Sequence, residues 1–148
     1  MPGKFVTTGA MALIAADSVL SIISATTVRP RVSDILLSSS STPNDYSADF
    51  QIQRFSADGT ATAVTPQPLD FDDPVAITTS KHTYTAEPTL TANEILLRLA
   101  HNQRATVRWV AQPGFELVCP KLAGDGVALV CNAVSTQFTE VVTIFFEE

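Results

Sequence analysis

Apolar and polar positions alternate along most of this chain in short segments separated by turn residues, the signature of β-strands and not of helices. From Ser18 to Thr27, Val19, Ser21, Ile23 and Ala25 alternate with Leu20, Ile22 and Ser24, and Arg29-Pro30 closes the segment because proline lacks a ladder donor. Arg31 to Ser39, Ala48 to Phe55 and Thr60 to Thr65 follow as further strands. Asp58-Gly59 between the last two reads as a hairpin turn. Residues Glu94 to Ala100 alternate Ile95, Leu97 and Leu99 with Leu96, Arg98 and Ala100. A short helix over 91–100, capped by Thr91 with Glu94 at the capping-box position, is the alternative there, and the flanking strand patterns favour β.

Ala105 to Gln112 is the next strand. Phe115 to Lys121 and Val127 to Val134 then read as a hairpin about Ala123-Gly124-Asp125-Gly126, and Thr139 to Glu147 as a final strand. In that last segment Val141, Thr143 and Phe145 alternate with Val142, Ile144 and Phe146. Apolar residues on both faces predict a central place in a sheet. The pattern therefore predicts an all-β fold: an antiparallel β-sandwich, jelly-roll-like, of about eight or nine strands.

Two stretches break the pattern. Pro66 to Pro74 carries three prolines and three aspartates, too many for a central strand. With the Thr-rich run to Pro88 it is expected to be a long irregular contact arm, because long loops in small domains are commonly binding loops. Residues 1–17 are expected to be an N-terminal arm ordered on a neighbouring subunit, with residues 18–148 forming one sandwich domain. Lys4 and the apolar run Ala10 to Ala16 have a faint likeness to a secretory signal, but Thr7, Thr8 and Gly9 separate charge from apolar run, and the reading as a signal is disfavoured. No stretch reaches the roughly 18 apolar residues of a membrane-spanning helix.

Composition changes the picture in one respect. Hydrophobic residues are 45 % of the 148, which is ordinary, but charged residues are only 16 %, against roughly 25 % in a typical soluble domain. Thr, Ser, Gln and Asn fill the deficit, and such a surface suits a protein covered by neighbours. The formal net charge of −6 and the nine scattered Lys and Arg residues argue against a nucleic-acid face and against an anionic membrane surface.

The chemistry-bearing residues form no recognisable catalytic motif. His82 and His101 have no carboxylate or serine at a motif spacing, and the chain is read as a non-enzyme without cofactor or metal. Asp70, Asp72 and Asp73 lack the spacing and glycine of a calcium loop and read as a solvated acidic loop. Cys119 and Cys131 flank Asp125 symmetrically. They are either two small buried hydrophobes, the preferred reading, or a cross-strand disulfide. Trp109 is assigned to the core, with an interface anchor as the alternative. Arg108, on the other face of its strand, is assigned to an interface or to an acidic neighbour.

Several segments resemble a family of small tailed-phage virion proteins, the capsid decoration or cement proteins. The resemblance rests on Arg29-Pro30-Arg31, the Ser-Thr-Pro-Asn-Asp of 41–45, and Gln53-Arg54 followed by Asp58-Gly59-Thr60. It extends to Val64-Thr65-Pro66-Gln67-Pro68-Leu69-Asp70, Glu87-Pro88-Thr89, the run Asn102 to Ala111, and Pro113-Gly114, most of residues 29–115. The resemblance implies a structural protein on the outside of an icosahedral capsid, made in the bacterial host cytoplasm. It also implies a homotrimer that bridges subunits of the major capsid protein. Contact residues are then expected at Lys4 and Phe5 in the N-terminal segment, at Gln67, Leu69, Phe71 and Tyr84 in the irregular arm, and at Arg108. A host- or glycan-binding module of a tail or fibre is the alternative.

Overall fold

The computed structural model describes residues 3–148 as twelve β-strands in two antiparallel sheets stacked as a sandwich. The strands are β1 (Lys4–Ala12), β2 (Ser18–Ile23), β3 (Arg31–Ser39), β4 (Ser47–Ala57), β5 (Thr60–Val64) and β6 (Gln67–Pro68). They continue with β7 (Thr79–Ala86), β8 (Thr89–Asn102), β9 (Val107–Val110), β10 (Leu117–Val118), β11 (Gly126–Val134) and β12 (Thr139–Glu147). The first sheet runs β10-β3-β12-β1-β6, with β9 also paired to β3; the second runs β5-β7-β2-β11-β4-β8. The all-β sandwich is as the alternation predicts, though with twelve strands in place of eight or nine, and the segment 91–100 is strand, not helix.

Between the sheets, alternate residues of facing strands fill one core. Phe5, Val32, Ile35, Leu37, Val142, Ile144 and Phe146 come from the first sheet, and Val19, Leu20, Ile22, Phe50, Ile52 and Leu129 from the second. Phe5 and Phe146 stack with centroids 5.6 Å apart. Trp109 is half-buried and packs against this core, as expected of it.

Met1 and Pro2 of the expected N-terminal arm lie outside the described residues, and the described part is a strand of the sheet and not an arm ordered by a neighbour. Residues Lys4 to Ala12 pair along their whole length with β12, Lys4 opposite Glu147 and Ala12 opposite Thr139. The inward positions of β1 are Phe5, Thr7, Gly9 and Met11, so a hydroxyl and a glycine interrupt the apolar alternation and hide the strand in the sequence. Both are needed where they stand. Thr7 Oγ1 donates to Ser80 Oγ across the sandwich at 2.9 Å, and Ser80 Oγ donates in turn to the Ser21 carbonyl at 2.7 Å. A β-carbon on Gly9 would lie 2.9 Å from Cβ of His82, closer than van der Waals contact allows.

The irregular arm keeps its irregular stretch from Leu69 to Thr78, but the Thr-rich part, expected to be irregular as well, is strand β7. β7 is polar yet pairs on both sides, with β2 and with β5. The Asp58-Gly59 turn does not close a β4–β5 hairpin. Ala57 faces Thr89 and Thr60 faces Ala86, so β4–β5 and β8–β7 are the two arms of one long antiparallel ribbon, linked by Asp58-Gly59 on one arm and Glu87-Pro88 on the other. The β4/β8 part lies at one edge of the second sheet and β5/β7 at the opposite edge, with β2 and β11 between. The ribbon therefore folds over the outer face of β2 and β11. There Phe55 and Leu90 of the ribbon close over Ile23, Ala128 and Val130, which explains why β2 is buried on both faces.

A hydrogen-bonded cluster fixes the fold-over point. Asp58 pairs with Lys81, Tyr84 Oη donates to Asp58 Oδ1 at 3.3 Å, and Tyr84 Oη lies 2.5 Å from Ser21 Oγ. At Gly59 the two arms approach so closely that a β-carbon would sit 2.1 Å from the Ala86 carbonyl oxygen.

The second expected hairpin is also absent. β10 belongs to the first sheet, on β3, and β11 to the second, so the Gly124 turn carries the chain from one layer to the other. Cys119 and Cys131 are buried free thiols. Burial pushes them up to about 12 and about 11 respectively.

Candidate contact surface

The two sheets differ in what covers their outer faces. The ribbon shields the second sheet, whereas no described residue covers the middle of the first. Cross-strand rows on that bare face run Val6–Phe145, Thr8–Thr143–Leu36–Arg108 and Ala10–Val141–Ser38. All of these side chains are half-buried or exposed. Beyond the end row of Lys4, Glu147 and Arg31, the charged side chains that these strands leave off the core are Asp34 and Arg108, and they neutralise one another. Arg108 Nε donates to both carboxylate oxygens of Asp34 at 3.1 and 3.0 Å, which raises the guanidinium further above its usual range. The result is a face of apolar and hydroxyl groups with no free charge in its middle among the described residues.

Two loops border one end of this face. Leu69 on one side and Glu116 on the other, with Lys4, Ser33, Phe145, Phe146 and Glu147, line a hollow of about 170 Å³. Leu69 is 54 % exposed, and Phe115, next to Glu116, is 73 % exposed. Phe71 follows Leu69 and is 98 % exposed, as open as a residue in a free peptide.

Of the seven residues expected to make contacts, four gather at this corner. β6 pairs with the start of β1, Val6 opposite Gln67, and Leu69 N donates to the Lys4 carbonyl at 2.8 Å. Lys4, Gln67, Leu69 and Phe71 thus lie together. Arg108 is on the same sheet but at its opposite edge, held by Asp34, the acidic neighbour allowed for it. Phe5 and Tyr84 do not face solvent. Phe5 is 1 % exposed because its side chain faces the core and stacks on Phe146, and Tyr84 is 7 % exposed because the ribbon folds it onto Ser21. Burial is the main force raising the Tyr84 phenol well above its usual range. Sequence reasoning missed the face itself. Its signal was there in Val141, Thr143 and Phe145, whose two-sided strand implied a central position but not a bare outer face.

A second feature it missed lies inside. His101 on β8 and Glu140 on β12 meet between the sheets, Nε2 to Oε1 at 3.0 Å, with both side chains buried. His101 stacks on Phe50 with centroids 5.6 Å apart and meets Phe138 edge-on. Its Nδ1 donates to the Asn102 carbonyl at 2.9 Å, so the Nε2–Oε1 contact is a hydrogen bond only if the pair shares one further proton. The Glu140 hydrogen bond raises His101 above its ordinary value, and burial raises Glu140 above its own.

Elsewhere the second sheet carries an open hollow of about 580 Å³ lined by Ala48, Asp49, Ala100, Asn102, Ala133 and neighbours. Asp49 there is paired with Arg98, which holds its carboxyl below the usual range. Among the described residues no group of three or more His, Cys, Asp or Glu side chains is placed to hold a metal ion. No family of known proteins, no curated protein and no solved structure matches the chain.

Proposed function

We propose that this protein is a structural virion component of a tailed phage, binding the outside of the icosahedral capsid and bridging major capsid protein subunits. Self-association as a homotrimer belongs to the same reading. The observation that carries it is the uncovered outer face of the first sheet, lined by apolar and hydroxyl groups without free charge in its middle, beside the exposed Leu69, Phe71 and Phe115. Exposed apolar faces of this kind on a folded domain mark protein contact sites. A standard contact hides on the order of 800 Å² per partner, and icosahedral repetition multiplies weak single contacts through multivalency.

The experiment is cosedimentation of purified protein with capsid shells lacking it, and thermal stability of the shells with and without it. The wild-type chain is expected to bind and to raise the temperature at which shells break. Thr143→Arg, which places an unpaired charge in the middle of the bare face, is expected to abolish both effects while the domain stays folded. Shells of unchanged stability would reject the reading.

The exposed Phe71 and Phe115 on loops also support a host- or glycan-binding module of a tail or fibre, since rings presented on loops stack on sugar faces. Binding to a glycan array, lost in Phe71→Ala and Phe115→Ala, would select that alternative.

A further inference from the structure

The loop from Leu69 to Ile77 is built to present one ring. Its ends are tied to the body of the domain: Leu69 N donates to the Lys4 carbonyl, while Ile77 N and Thr78 N donate to the two carboxylate oxygens of Glu148 at 2.7 and 2.8 Å. Its tip is tied to itself, because Asp72 N donates to Asp70 Oδ1 and Asp73 N to the Asp70 carbonyl, both at 3.1 Å. Phe71 stands at that tip, with Leu69, Val75 and Ile77 exposed along the same loop. A ring held in water on an ordered turn loses little entropy on entering a pocket, and pre-organised aromatics of this kind carry a disproportionate share of interface energy.

Charge says what kind of pocket. Asp70, Asp72 and Asp73 flank the ring and form no ion pair among the described residues, so the complementary surface carries cations around an apolar centre. A second copy of this chain is a poor source of them. Of its nine Lys and Arg residues, Arg54, Lys81, Arg98, Arg104 and Arg108 are already paired within the chain, and Arg29 and Arg31 line a hollow together with the carboxylates of Glu147 and Glu148. An anionic membrane surface is repelled by the same carboxylates.

We infer that Phe71 is an anchor that enters an apolar socket rimmed by Lys or Arg on a different protein. The inference rests on the contact function proposed above and names the chemistry of that contact. Phe71 supplies the buried ring, and Asp72 and Asp73 supply the pairing charges. Asp70 holds the turn.

Two arms test it. Phe71→p-benzoylphenylalanine allows photo-crosslinking in the cells that make the chain, with Thr62→p-benzoylphenylalanine as the control. The expected product joins residue 71 to a Lys- or Arg-flanked apolar segment of another protein. Crosslinks to a second copy, or no yield above the control, would overturn the inference. In the second arm, binding to purified capsid shells is measured for the wild type, for Phe71→Ala and for the double variant Asp72→Asn, Asp73→Asn. Phe71→Ala is expected to bind on the order of thirtyfold more weakly, and the double variant to lose much of its salt dependence. If Phe71→Ala binds shells as tightly as the wild type, the anchor is wrong and the capsid reading stands. If the wild type does not bind shells, the capsid reading fails, and the crosslinking arm alone decides the anchor.

Discussion

His101 and Glu140 come from different sheets, and their 3.0 Å contact is a buried ionisable link across the sandwich core. Because Nδ1 of His101 is committed to the Asn102 carbonyl, the pair keeps its hydrogen bond only while it holds a proton that the unfolded chain releases near neutral pH. Both groups titrate above their ordinary values, so folding takes up a proton over that range. The linked stability is present below the ordinary histidine value, near 6.5, and is lost as pH rises through the raised value in the fold. The denaturation midpoint is accordingly expected to fall between pH 6 and pH 9. In His101→Gln that slope should be much reduced; an equal slope in both proteins would show that the pair is not its source.

Removing one partner is a separate matter. Glu140→Ala leaves the imidazole buried without its acceptor and is expected to cost about 3–5 kcal/mol, read from urea denaturation at pH 6. A loss under 1 kcal/mol would mean that water reaches the site.

Phe5 and Phe71 make a matched contrast. Phe5→Ala empties a core position stacked on Phe146 and is expected to cost about 3–5 kcal/mol of stability. Phe71→Ala should stay within about 0.5 kcal/mol of the wild type. Equal effects would contradict the burial described for one of them.

At Gly59 the ribbon arms leave no room for a side chain. Gly59→Ala forces a β-carbon against the Ala86 carbonyl, and overpacking against backbone is expected to cost about 1–3 kcal/mol or more. The damage should be local at first, with amide exchange rising in β5 and β7 before β12. Exchange that rises uniformly would argue against the ribbon as a separable unit.

The two thiols give a simple chemical check. Free, buried and raised to about 12 and about 11, they should resist alkylation at pH 8 in the native protein and react fully in denaturant. The intact mass should be the same with and without reductant. A gain of about two daltons on reduction would indicate a disulfide.

The fold class was legible because alternation survives wherever the inward residues are large and apolar, as in β12. It failed for β1 and β7, whose inward positions include Thr7, Gly9 and Ser80. Those choices answer to the opposite sheet, through the Thr7–Ser80 bond and the Gly9–His82 approach, and local pattern carries no record of such partners. The two turns misled for a related reason. Asp58-Gly59 and Gly124 have hairpin chemistry, but which strands they join depends on pairing with segments far along the chain. At the candidate site, exposure of Leu69 and Phe71 followed from the prolines and aspartates around them. Burial of Tyr84 did not, because it depends on Ser21 and Asp58, 63 and 26 residues away.

The folded-over ribbon also imposes a schedule on synthesis. Its two arms end at Asn102, whereas β11, one of the two strands it covers, spans Gly126 to Val134. A ribosome therefore completes the ribbon, and the β2 half of its floor, before β11 exists. During that interval Phe55 and Leu90 have no Ala128 or Val130 to close upon, and the apolar side of the ribbon is open to other nascent chains. Closure waits on strands brought together from near both ends of the chain, a slow, non-local step. A chain interrupted between residues 102 and 126 would keep Phe55 and Leu90 without Ala128 and Val130 to cover them.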